Sequence, residues 1–193
     1  MKKTLLVCIA GLIITGFSAM ANAANVALGA NVTLNGTFGA SSAPKETVVD
    51  NVFLNEGRNW NIGTVWWDAH SLSGQNIVLD LGDIYKINSF TVQADNNDKY
   101  RISYYNLIDN TWKTGWDVST TGGGGMRTRT SGLLANPITT NTLKFEAIQG
   151  DSYYSVSEIQ AFGTLVSTPT PEPSSMVLGL MGLGSLLGFK RRK

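Results

Sequence analysis

The sequence predicts an all-β protein, a sandwich of about eight short antiparallel strands. Three observations carry this. Apolar and polar residues alternate over five to eight positions in several windows, as in Ile87–Ala94 and Asn141–Ala147. Asn, Asp and Gly clusters such as Asp80-Leu81-Gly82-Asp83 and Asp95-Asn96-Asn97-Asp98 punctuate these windows. No window carries a helical period, so runs of strands without intervening helices point to a sandwich rather than an open α/β sheet.

The elements follow in order. Asn25–Gly39 is polar, β-prone and broken by glycine, which suits a first strand and loop. Ala40–Pro44 is a loop. Val48-Val49-Asp50-Asn51 opens a segment rich in Asn, Gly and Trp that holds Trp60, Trp66 and Trp67. Adjacent strand residues point to opposite faces, so one of Trp66 and Trp67 faces inward, and Trp66 is the expected one. Ile77–Leu79 reads as one strand and Ile87–Ala94 as another, with Phe90, Val92 and Ala94 on one face and Ile87, Ser89 and Thr91 on the other. Tyr100–Tyr104 and Trp112–Trp116 form a hairpin. The four glycines Gly122–Gly125 are a loop tip; no Lys-Ser/Thr pair follows, which argues against a phosphate-binding loop. Met126–Thr130 alternates. In Asn141–Ala147, Leu143, Phe145 and Ala147 share a face. Tyr153–Phe162 is the last strand, and its broken period predicts a bulge near Ser157.

The two ends differ from this middle. Residues 1–23 read as a secretory signal peptide: Lys2 and Lys3, an apolar run from Leu5 to Phe17, then Ala21-Asn22-Ala23 as an A-x-A cleavage site. The run is short for a membrane span. Residues 24–165 form the sandwich. Residues 166–175 are a Pro/Ser/Thr-rich linker, expected to be extended. Residues 176–193 are an apolar, Gly-containing run closed by Lys190-Arg191-Arg192-Lys193, a marginal span that suits transient membrane contact.

The formal net charge is +1, but six of the fifteen basic residues lie in the two end segments. Between them nine basic residues face fourteen acidic ones, a net of −5. Such a domain lacks the basic face that nucleic acid requires. The single cysteine, Cys8, falls in the signal peptide, so no disulfide framework or thiolate chemistry is expected in the mature protein. With one histidine, His70, and no Ser/His/Asp order, no enzyme is expected. Asp95 and Asp98 are a carboxylate pair of the sort a glycosidase uses, but they lie in a turn, where Asp serves the local backbone.

Pro171-Glu172-Pro173, the apolar run and the basic end together resemble the PEP-CTERM sorting signal of Gram-negative bacteria. The resemblance implies processing by an exosortase-type membrane protease, and delivery to the cell surface or extracellular matrix, where such systems accompany exopolysaccharide. In the middle, NVALG at Asn25, VVDN at Val48, TVWWD at Thr64, NIVLDLGDIYKINSFTV at Asn76 and YYSVSEIQAFG at Tyr153 resemble the discoidin (coagulation-factor C-type) domain of the galactose-binding-like superfamily. The match departs at Asn51, where the family usually has Gly, and Asn51–Gly63 is longer and richer in Asn than usual.

That resemblance implies an eight-stranded antiparallel jelly-roll sandwich whose usual work is non-catalytic binding, most often of carbohydrate, at loops on one end. Sugar binding takes an aromatic ring against the apolar face of a pyranose and polar groups that fork hydrogen bonds to its hydroxyls. The candidates are Trp60, His70, Asn96, Asn97, Arg127, Arg129 and Tyr153. Arg127 and Arg129 share a strand face, which suits an acidic sugar or an ordinary solvated face. Bacterial relatives also hold a structural Ca²⁺, which wants six to eight oxygens. By position the resemblance assigns it Asp50, Thr64 and Glu158, with carbonyls from Val48 and Ser157. The leading expectation is a secreted carbohydrate-binding protein of a biofilm matrix; the alternative is a structural or adhesive matrix protein acting through protein–protein contacts.

Overall fold

The structure is a computed structural model that describes residues 23–68 and 74–166. Nine strands are present among these: β1 (Ala24–Asn25), β2 (Asn31–Asn35), β3 (Val65–Asp68), β4 (Asn76–Asp95), β5 (Lys99–Asn106), β6 (Thr111–Val118), β7 (Met126–Thr130), β8 (Ile138–Gln149) and β9 (Tyr153–Leu165). One 3-10 helix, Lys45–Val49, lies between β2 and β3. Every strand pair is antiparallel.

The two strands expected in the Asn76–Ala94 region are one strand of 20 residues. At the intervening turn cluster Gly82 takes φ +79, and its N–H donates to Asp80 Oδ1, which bends the strand instead of ending it. The first part of β4 lies between β2 and β8, the last part between β9 and β7. Strand β4 therefore belongs to two sheets. One sheet runs β2–β4–β8–β5–β6; the other runs β4–β9 with β7 on one flank and β1 and β3 on the other.

The core lies between them. Leu143, Phe145 and Ala147 are all buried, as their spacing predicts. Across the sandwich, Tyr100 of β5 meets Trp67 of β3 edge-on at 6.4 Å and Tyr154 of β9 at 6.3 Å. Phe90 of β4 stacks with Trp116 of β6 at 6.4 Å. Trp67, not Trp66, is the inward residue of its pair and is fully buried. Register decides this: Trp67 pairs with the buried Tyr154, while Trp66 stays half-exposed on the outer face.

Two bulges set the faces of the central strands. Gln93 pairs with Glu158 and Ala94 with Val156, so Ser157 is the extra residue, at the expected place. The second lies at Asn88, where the register of β4 shifts between Ile87 and Ser89. It turns Ile87 to the core side with Phe90, Val92 and Ala94, against the simple alternation.

Strand β4 ends, β5 begins, β6 ends, β7 begins, β8 ends and β9 begins at one end of the sandwich. That end carries the segments 96–98, 119–125 and 150–152, and is called the loop end below. The opposite end carries the 107–110 turn, the 131–137 loop, the bend of β4 and the exit at Val166.

Candidate functional site

The loop end is built on segment 51–64, which lies over the outer face of the β4–β9 sheet. Gln93 pins it there. Its Oε1 accepts from Leu54 N at 2.7 Å and from Ser157 Oγ at 2.7 Å, and its Nε2 donates to Leu54 O at 2.9 Å. Farther along, Gly57 N donates to Met126 O at 2.9 Å and Met126 N to Arg58 O at 2.8 Å, a short ladder with the start of β7. Gly125 has φ +65, and a Cβ there would lie 2.2 Å from Arg58 O, so only glycine lets the chains approach this closely. Trp60 is held at the end of this segment by its carbonyl, which accepts from Thr64 Oγ1.

Trp60 packs edge-on against Trp66, centroids 5.3 Å apart, and tilted against Tyr153 at 5.4 Å. Tyr153 is 47% exposed. The three rings form a half-exposed aromatic rim beside the 150–152 turn. Next to it, Tyr153 N donates to Asp151 Oδ1 at 3.0 Å, and Asp151 Oδ2 accepts from Asn97 Nδ2 at 2.8 Å. Of the sugar-binding candidates, Trp60, Tyr153 and Asn97 thus share one linked surface. Asn96 is turned to the neighbouring loop, where its Nδ2 donates to Thr121 O at 3.3 Å and to Gly123 O. His70 lies outside the described residues.

The two arginines have structural work. Arg129 donates to Asp95 O at 2.9 Å, Ser119 O at 3.1 Å and Asp98 O at 3.4 Å, and lies over the Tyr100 ring at 5.6 Å. It clasps two loops together and also lines a cavity of about 250 Å³ with Trp116, Asp117 and Ser119. Burial holds its guanidinium below the usual range. Arg127 lies 3.6 Å from Glu56, whose carboxylate also accepts from Thr128 N and Oγ1. Neither is a free cation awaiting an acidic sugar.

Acidic groups gather instead at this end. Asp98 is fully buried; its Oδ1 accepts from Asp151 N at 3.3 Å and its Oδ2 from the Tyr100 hydroxyl at 3.0 Å. Burial pushes its carboxyl up to about 7, the Tyr100 bond opposes the shift, and the charges of Asp95 and Asp151 add to it. Burial likewise raises Asp95. Asp151 and Glu56 were not singled out from the sequence. The Asn97–Asp151 bond joins residues 54 apart, and no local pattern announces it.

The second candidate set lies under the start of segment 51–64. Glu158 is fully buried, and neither carboxylate oxygen has a hydrogen-bond partner of adequate geometry. Burial first, and then the charge of Asp50, push its carboxyl up to about 8; nearby N–H groups of Gln160, Asn51 and Asp50 limit the rise. Asn51 stands at φ +65, the left-handed region open to Gly and tolerated by Asn. Its Oδ1 accepts from Gln160 Nε2 at 2.7 Å, tying the turn to β9. Thr64 stands one residue beyond the Val65–Val156 pair, hence beside the Ser157 bulge, and is fully buried. Its hydroxyl is spent on Trp60 O, and its carbonyl accepts from Ala43 N at 2.8 Å. The fold thus brings Asp50 and Glu158 together and places Thr64 nearby. A buried carboxylate with unspent oxygens, Glu158, beside the exposed Asp50, whose Oδ1 accepts from Val52 N at 2.9 Å, offers oxygen donors of the kind a hard cation seeks. Among the described residues no three His, Cys, Asp or Glu side chains converge on a metal position, so carbonyls would have to complete the shell.

Comparison with known proteins gives two results. Residues 169–193 match the PEP-CTERM protein-sorting motif. No curated protein matches the sequence. The fold is similar to a fucolectin from striped bass (Morone saxatilis) serum, with TM-score 0.57 and 14% identity over 77% of this chain and 52% of that one. It is also similar to a fucose-binding module of Streptococcus pneumoniae, with TM-score 0.54 and 14% identity over 74% of this chain and 96% of the module. A third is the module CpGH89CBM32-6 of Clostridium perfringens, with TM-score 0.50 and 16% identity over 73% of this chain and all of the module. At these identities the likeness establishes fold alone. The chain therefore carries a PEP-CTERM sorting motif behind a domain with the discoidin, galactose-binding-like fold that carbohydrate-binding modules and F-type lectins share.

Proposed function

We propose that the protein is an exported, non-catalytic carbohydrate-binding protein that holds exopolysaccharide of the producing cell's matrix at its loop end. The observation that carries this reading is the aromatic rim of Trp60, Trp66 and Tyr153 joined to the Asn97–Asp151 pair. The rings offer apolar area to a sugar face, and the amide and carboxylate offer a donor and an acceptor to its hydroxyls. The engaged arginines favour a neutral or amino-bearing sugar over an acidic one. A calcium ion at Asp50 and Glu158, with oxygens from Val48, Thr64 and Ser157, would neutralise the buried Glu158 charge and fasten segment 51–64, and with it Trp60, to β9. An exosortase-type protease would cut near Pro171-Glu172-Pro173 and release the domain to the cell surface or matrix.

Affinity electrophoresis of the Ala24–Thr168 fragment, which contains every described strand, tests the reading. Retardation by the native matrix polysaccharide is expected. Unchanged mobility in that polysaccharide and in a panel of neutral and amino-sugar polymers refutes it. Concentration-dependent oligomers without sugar dependence would support the structural-matrix alternative.

A further inference from the structure

The end opposite the loop end carries apolar side chains that the core does not use. Ile108 is 93% exposed and Leu133 86%, and Leu165 is 55% exposed beside Val166, Ile84 and Leu107, each more than a third exposed. They occupy separate segments that the fold gathers. Leu165 pairs with Tyr85, Tyr85 pairs with Thr140, and Thr140 Oγ1 donates to Tyr105 O at 2.8 Å, two residues before Leu107. Val166 N donates to Ile84 O at 2.8 Å. Leu134, the neighbour of Leu133, lines a cavity with Tyr104 and Ile138. The charged groups here nearly balance: Asp80, Asp83 and Asp109 stand against Lys86 and Lys113, with Asp109 and Lys113 paired at 2.9 Å, a net of −1. The buried carboxylates Asp95 and Asp98, with Asp151, lie at the far end.

The chain leaves the sandwich from this apolar end, at Val166. Residues 167–175 follow as a linker that spans at most about 30 Å. Then come the apolar residues 176–189 of the sorting segment and its basic end. A tether this short keeps the domain's exit end at high effective concentration over the bilayer in which the segment is held. Exposed Ile and Leu at a near-neutral end suit the headgroup–acyl boundary.

We propose that this end is a membrane-docking face: before the tail is cut, Ile108, Leu133, Leu165 and their neighbours rest in the lipid surface, and the loop end points away from it. Docking presents the PEP linker in the plane where a membrane-bound protease works and leaves the loop end free. The inference rests on the sorting motif and is independent of sugar binding.

The test uses the chain from Ala24 to Lys193, which retains the described fold and the tail and lacks Cys8. An environment-sensitive fluorophore is placed on I108C, on L133C and, at the loop end, on T120C, all exposed positions. Each protein is reconstituted in phosphatidylethanolamine/phosphatidylglycerol vesicles containing a nitroxide-labelled lipid. Blue-shifted, quenched emission from I108C and L133C with none from T120C is the expected result. Equal quenching at all three positions, or none at I108C and L133C, overturns the proposal. A blue shift at I108C that grows with protein concentration without vesicles also overturns it, and assigns the face to a second copy of the chain. Affinity electrophoresis of the same proteins reads sugar retention separately, so the two readings fail independently.

Discussion

Two buried carboxyls make the sharpest residue-scale predictions. Asp98 ionises near 7 in the folded chain against 3.8 in the unfolded one, because burial disfavours its charge. The folded state then holds the extra proton between these values. The associated stability is complete below about pH 3.8 and is lost as pH rises through 7, a change on the order of 4 kcal/mol at most. D98N keeps an acceptor for Asp151 N and removes the charge. Urea midpoints measured from pH 4 to 8 are expected to fall less steeply for D98N than for the wild type, and parallel curves would contradict the assignment. Glu158 gives the opposite test, because its charge has a proposed partner. In chelator at pH 7, Glu158 must take up a proton to fold because burial holds its carboxyl at about 8; E158Q needs none and raises the melting temperature. In calcium at about 100 times Kd, the wild type gains about 2.7 kcal/mol and E158Q gains none. An unchanged wild-type melt on adding calcium removes the metal from the account.

At the scale of elements, close approach of strands governs the outcome. Gly163 of β9 pairs with Ile87 of β4 on one side and with Ala24 of β1 on the other. A Cβ there would lie 2.6 Å from Lys86 O, and a backbone atom cannot swing aside. G163A is therefore expected to cost about 1–3 kcal/mol, read as a lower urea midpoint at unchanged slope. This scale also shows what the sequence made legible. Alternation located β8, and the broken period of Tyr153–Phe162 located the Ser157 bulge, because both are local properties of one strand. Alternation failed at Ile87, where the Asn88 bulge inverts the faces, and at Trp66 and Trp67, two adjacent residues of one chemistry. Only the partner strand decides which of the two turns inward.

At the scale of the whole molecule the two ends of the sandwich differ, with an aromatic rim at the loop end and exposed Ile and Leu at the other. Fold class and the sorting tail were readable, since strand patterning and the Pro-Glu-Pro tail are written in contiguous sequence. The assembly of the site was not. Gln93 anchoring Leu54, Asn97 bonded to Asp151 and Trp60 against Tyr153 all join distant segments. The partners of Arg127 and Arg129 were hidden for the same reason: Glu56, Ser119 and Asp95 come from other segments. The most direct test of the central claim compares retention on the native matrix polysaccharide for the wild type and for a W60A/Y153A double variant, with folding checked by melts. Both rings are partly exposed, so the variant is expected to fold and to lose about 2 kcal/mol or more of binding, roughly thirtyfold in Kd. Retention equal to that of the wild type by a folded W60A/Y153A protein would contradict the account.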